Sequence, residues 1–203
     1  MNTREKLTVV LLSLGAILAV LPLSGNKSFT IKPEKVLSAV LEDKSYLTVD
    51  QVAKFIVTED STIHIIDVRS AEEFKTASLP GAVNAPYSEL PSRDPAEYMI
   101  SGNTRNIFYS NGDLNANYAL VLASGYGYGN SYVMKGGMNE WFNTVINSSF
   151  TGEKISAREN ALFETRTRAK KMFTEINSLP DSLKQEFMKS GKNAAKKLDG
   201  GCE

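Results

Sequence analysis

The sequence predicts an α/β fold, a central parallel sheet with helices on both faces. Three observations predict it. Short apolar runs of strand length alternate along the chain with stretches of helical spacing. One of those runs, Thr62 to Val68 (TIHIIDV), is β-branched and apolar enough to be buried on both faces, as strands of a parallel sheet are. Glycine and proline pairs, Pro80-Gly81 and Gly136-Gly137, punctuate the joins between runs.

The first segment is not part of that alternation. Arg4 and Lys6 precede a charge-free run from Leu7 to Leu23, the layout of a positive region followed by an apolar one in a signal peptide or membrane anchor. The run is slightly short of the roughly 20 residues that a spanning helix needs and longer than the usual signal core, so both readings stay open. Leu23 and Gly25 are a poor small-residue cleavage pair, which favours an uncleaved anchor. Its basic side tends to stay in the cytoplasm, which puts the bulk of the chain outside, in the periplasm if the source is bacterial.

Pro33 to Asp43 has helical spacing, with Val36, Leu37, Val40 and Leu41 on one face. Thr48 with Gln51 three residues later is a capping-box signal, opening a helix that includes Val52, Phe55 and Ile56. After the Thr62–Val68 strand, a helix is expected at Ala71 to Phe74, a short strand at Ala82 to Asn84 and another helix from Asp94 to Ile100. Asn106 to Tyr109 is the next core strand, followed by a polar loop and an apolar helix from Ala116 to Ala123. Ser131 to Met134 is the last strand, and Met138 to Val145 the closing helix. From about Gly152 the chain is polar and helix-prone, interrupted at Pro180, with Phe163, Met172, Phe173, Phe187 and Met188 as apolar positions suited to packing on the domain.

Composition removes many kinds of chemistry. The 203 residues carry 23 basic and 23 acidic side chains, and that balance argues against nucleic acid as a partner. The single cysteine, Cys202, excludes an internal disulfide framework, a zinc cluster and a paired-cysteine redox motif. With His64 the sole histidine, a multi-histidine metal site is impossible, and neither metal nor cofactor is expected.

The stretch DVRSAEEF, Asp67 to Phe74, followed by LPGAVNAP, Leu79 to Pro86, resembles the first signature of the rhodanese family, and YVMKGGMNEW, ending at Trp141, resembles its closing signature. The resemblance implies one rhodanese-like domain at residues 46–147. Residues 1–25 form the signal or anchor, 26–45 a linker or helix, and 148–203 a helical polar tail ending Gly200-Gly201-Cys202-Glu203.

The family's catalytic loop begins with a nucleophilic cysteine and ends in a basic residue. Its counterpart here is Ser110, Asn111, Gly112, Asp113, Leu114 and Asn115, a possible anion-binding loop with Ser at its first position and Asn at its last. A rhodanese nucleophile works as a thiolate and stores sulfur as a persulfide, neither of which a serine hydroxyl can imitate. No Gly-x-Ser-x-Gly elbow surrounds Ser110, and His64 sits on another strand, so a serine nucleophile is not expected either. Asp67, Arg69 and Glu73 match signature positions, with the expected task of bracing the loop through hydrogen bonds and an ion pair.

The leading expectation is therefore a membrane-tethered or exported, catalytically degenerate module that binds a partner protein or a small sulfur-containing anion. Two alternatives stay beside it. One is a sulfurtransferase using Cys202 or a partner's thiol as sulfur carrier. The other is a structural envelope protein acting through its helical tail.

Overall fold

The computed structural model describes residues 43–149, 156–184 and 186, together with residues 2, 4 and 13. The expected anchor run 7–23, the helix expected at 33–43 except for Asp43, and Phe187, Met188 and Cys202 lie outside the described residues. Among the described residues no helix is long and apolar enough to cross a membrane.

Five parallel strands form the sheet: β1 Tyr46–Leu47, β2 Ile63–Asp67, β3 Val83–Asn84, β4 Arg105–Tyr109 and β5 Ser131–Met134. Their spatial order is β1-β5-β4-β2-β3. The helices are α1 Val49–Val57, α2 Ala71–Thr76, α3 Asp113–Gly125, α4 Gly137–Trp141 and α5 Ala157–Asn177. α1 starts where its signal lies, with the Thr48 side chain accepting from the Gln51 amide and Gln51 accepting from the Thr48 amide.

Strand alternation sorts the core into two layers. Ile65, Ile107, Tyr109 and Met134 face one way and pack with Val52 and Ile56 of α1, Trp141 of α4, and Ala169 and Phe173 of α5. Ile66, Phe108 and Val133 face the other way, onto Ala116, Leu120 and Ala123 of α3 and onto Leu90 and Tyr98. Each fully buried side chain of this size is worth about 1.5–3 kcal/mol, so register is tightly specified: a one-residue slip would exchange the two layers.

The segment after residue 147 joins this core. Ala169, Phe173 and Ile176 lie on one stripe of α5 and are buried, with the Phe173 ring 6.1 Å from Trp141 and 5.7 Å from Phe142. Arg166 reaches Asp50 of α1 with two bonds of 2.7 Å.

Three expectations need correction, and one strand was not expected. The helix expected at Asp94 to Ile100 is only a 3-10 turn, Pro95–Glu97, capped by Asp94; it breaks because Tyr98 and Met99 turn into the second core layer. α3 begins at Asp113 rather than Ala116, since an acidic residue in the first turn suits the helix dipole, so the loop after β4 is only Ser110 to Gly112. The closing helix starts at Gly137 and finishes in a π-helical turn, Phe142–Ile146. β1, two residues long, escaped the sequence reading because so short a run carries no periodicity.

Candidate functional site

β2, β4 and β5 end side by side at Asp67, Tyr109 and Met134. From β2 the chain moves outward to β3, then crosses back to β4 and continues to β5 on the other side, so the order reverses between β2 and β4. Ligands of open parallel sheets bind at such a switch point, outside the carboxyl ends of the strands. The segment after β2 carries Arg69 and the segment after β4 carries Ser110.

Ser110 is 4% exposed, and its hydroxyl has no hydrogen-bond partner among the described residues. Its carbonyl accepts from the Met138 amide at 2.8 Å, and the Asn111 carbonyl accepts from the Asn139 amide at 3.0 Å. The β5–α4 turn thus grips the loop from below. Gly137 makes the grip possible: its φ is +58, and a Cβ there would overlap the Ser110 carbonyl oxygen and the Asn111 backbone. Asp113 completes the clamp by accepting from the Gly136 amide at 2.6 Å. Gly112 precedes α3 with no side-chain cap.

On the β2 side, Asp67 is fully buried and Arg69 is 6% exposed. Arg69 donates from Nη2 to Asp67 Oδ2 at 2.5 Å and from Nε to Oδ1 at 3.0 Å. The same Nη2 reaches the Ala77 carbonyl at 2.6 Å, and Nη1 reaches Asn111 Oδ1 at 3.5 Å. Burial acts to lower the Arg69 pKa, but the hydrogen bonds and charge of Asp67 outweigh it and hold the guanidinium above its ordinary value. Beneath the pair lies Tyr109, whose hydroxyl is pushed well up by burial and then by the Asp67 charge.

Glu73 links helix and loop. Its Oε2 accepts from the Ser70 amide and hydroxyl, closing the α2 capping box, and its Oε1 accepts from Asn111 Nδ2 at 2.5 Å. These bonds, that from Asn111 foremost, hold its carboxyl below the usual carboxylate range. Around the loop stand the carboxylates of Asp113 and Glu73 and the Asp67–Arg69 ion pair, with the buried Lys184 ammonium near enough to act on that pair. Asn115 supplies no cation where the family places a basic residue.

The outer edge of the loop is apolar. Leu114 is 83% exposed, Tyr87 45% and Tyr118 43%; with Ser88, Pro91 and Asn115 they line a shallow concavity of about 270 Å³. His64 does not approach: it lies level with Asn106 in the sheet, four residues before Ser110, and its Nε2 is 3.0 Å from the Tyr98 carbonyl. Four strand residues span about 13 Å, so Ser110 has no histidine base.

The structure thus gathers Asn111, Asp67, Arg69 and Glu73 into one bonded network beside Ser110, places Asp113 in the clamp below it, and sets Leu114 and Asn115 on the rim. Sequence reasoning missed that Gly136-Gly137 is the seat of the loop as well as a turn. The glycine pair was its only local signal.

Residues 48–144 match the family described as Rhodanese-like domain. The thiosulfate:glutathione sulfurtransferase of Saccharomyces cerevisiae is 26% identical over 102 residues, covering 45% of this chain and 73% of that protein. Among solved structures, a human single-domain sulfurtransferase has a TM-score of 0.43 and 23% identity, over 49% of this chain and 96% of that one. A single-domain sulfurtransferase of Saccharomyces cerevisiae has a TM-score of 0.44 and 23% identity, over 51% and 92%. With both signatures, the parallel sheet and the loop at its switch point in place, residues 48–144 are a rhodanese-like domain with a sulfurtransferase among its relatives.

Proposed function

We propose that this chain is a rhodanese-like module without sulfur transfer at its loop, which uses the rim of that loop to bind a partner protein. Its N-terminal segment, residues 1–25, tethers it to a membrane or carries it across one, leaving the bulk of the chain outside the cytoplasm. The observation that carries the reading is the contrast between the Ser110 hydroxyl, recessed and without a base, and Leu114 beside it, exposed on an apolar rim with Tyr87 and Tyr118. A recessed hydroxyl cannot ionise as a thiol does or hold a persulfide. An exposed leucine flanked by tyrosines is the composition of a protein-contact surface. Charge separates the two ligand classes: Asp113 and Glu73, with Arg69 engaged by Asp67, disfavour a small sulfur-containing anion and leave a protein as the better fit.

Two measurements test this. Transfer of sulfur from thiosulfate to cyanide should be absent in the parent chain and gained on Ser110→Cys combined with Asn115→Arg. Turnover by the parent that vanishes on Cys202→Ser would assign sulfur transfer to the tail thiol and overturn the reading. A photo-crosslinking residue at Leu114 should give a specific adduct in the native envelope, while one at Phe142, exposed on the opposite layer, should not. Equal labelling from both positions would sink the rim as a binding surface.

A further inference from the structure

α2 carries both loop braces, since Arg69 lies just before it and Glu73 within it, yet it has six residues and none is buried. So short a helix is far below the length that sustains itself, and with only Phe74 resting half-buried on the core it leans on its ends. The N-terminal end is closed by Ser70 and Glu73. The other end is closed from a place remote in sequence. Lys184, 5% exposed, donates from Nζ to the Lys75 carbonyl at 2.7 Å and to the Phe74 carbonyl at 3.4 Å, two of the carbonyls that a helix leaves without an internal partner.

Lys184 is itself held by Asn177 Oδ1 at 2.7 Å. Asn177, the last residue of α5, also pairs in both directions with the Ser78 backbone: Oδ1 accepts from its amide at 2.9 Å and Nδ2 donates to its carbonyl at 3.0 Å. One residue before Ser78, the Ala77 carbonyl takes the Arg69 guanidinium. A continuous bonded path therefore runs from α5 through Asn177 and Lys184 to the end of α2, then through Arg69 and Glu73 to Asn111 and the Ser110 loop. Its first two members lie outside residues 48–144, the part that matches the family.

We propose that the C-terminal extension is a clasp on the loop, and that Asn177 and Lys184 are positioning residues that fix α2 and, through it, Ser110 to Gly112. The extension then sets whether the rim above the loop presents one shape or several, which makes it the natural point for a partner or a cleavage to regulate binding. This rests on the loop being the working part of the domain, as read above, but its test measures loop order directly and needs no partner.

The experiment uses the full chain with Lys184→Met, with the milder Lys184→Gln that keeps a donor, and with Asn177→Ala. Arg166→Ala, which loosens the middle of α5 from Asp50, is the control. Amide hydrogen exchange should quicken about tenfold or more at residues 70–78 and 110–113 in the clasp variants, with β2 and β4 unchanged. A second readout is the pH midpoint for alkylation of the thiol introduced by Ser110→Cys in a Cys202→Ser background. Loop amides and the α3 N-terminus lower such a pKa, so releasing the clasp should move the midpoint up toward the ordinary thiol value of about 8.5. Fraying of α5 with loop exchange and midpoint unchanged would overturn the proposal. So would Arg166→Ala disturbing the loop as much as Lys184→Gln does.

Discussion

The two sides of the Ser110 loop are built in opposite ways. The inner side is held by a buried ion pair, a capping box shared with Asn111, and a turn whose Gly137 admits the loop backbone at contact distance. The outer side, Leu114 with Tyr87 and Tyr118, is exposed. A loop that merely joined a strand to a helix would need neither arrangement. If the rim binds a partner as proposed, rigid support beside it fixes that surface in one shape beforehand and lowers the ordering cost of association.

The inner side should be the costlier one to disturb. Arg69→Ala strands the Asp67 carboxylate, fully buried, without its partner, and removing one member of a buried pair costs about 3–5 kcal/mol. Urea unfolding should show a fall of that size. A loss under about 1 kcal/mol, the range of surface pairs, would mean that water reaches Asp67 and that the inner side is not the rigid one. Gly137→Ala comes next. It combines a left-handed backbone with a Cβ pressed on the Ser110 carbonyl, and such strain costs about 1–3 kcal/mol. The amide resonances of Ser110 and Asn111 should shift with it, and a silent spectrum would show that the turn does not seat the loop.

The outer side should answer differently. Leu114→Asp and Tyr118→Ser remove exposed apolar groups, so stability should change by less than about 0.5 kcal/mol while crosslinking from the rim is lost. A large stability loss from either variant would place these residues in the scaffold and erase the contrast between the two sides.

Much of the architecture was legible because its signals are local. The TIHIIDV run became β2 within one residue at each end, Ser131 to Met134 became β5 without change, and Thr48 with Gln51 opened α1 as a capping box must. Asp67, Arg69 and Glu73 were visible through the resemblance at Asp67 to Phe74. What stayed hidden depends on partners far away in the chain. Asn177 meets Ser78 across 99 positions, and Lys184 meets Lys75 across 109, so no window of sequence contains either bond. Lys184 looks like any other lysine of a polar tail until its burial is seen. The length of the loop was hidden too, because Asp113 to Asn115 read as loop residues ahead of a helix expected at Ala116. The Asp113 carboxylate instead bonds the Gly136 amide, and its position opens α3.

The smallest expected effect is also the most direct probe of the join between the two sides. Glu73 is held below its ordinary value of 4.5 first by Asn111 and then by Ser70, so the folded chain binds its proton less readily than the unfolded chain. The stabilisation is therefore complete above pH 4.5 and is lost as pH falls through the lower, folded value. The side-chain amide resonance of Asn111 should report this, titrating with a midpoint below 4.5 as the carboxylate stops accepting its proton. Glu73→Gln should flatten that titration while α2 keeps its Ser70 cap. A midpoint at or above 4.5 would mean that Asn111 does not hold the charged form of Glu73, and the loop would then hang from Arg69 and the Gly137 turn alone.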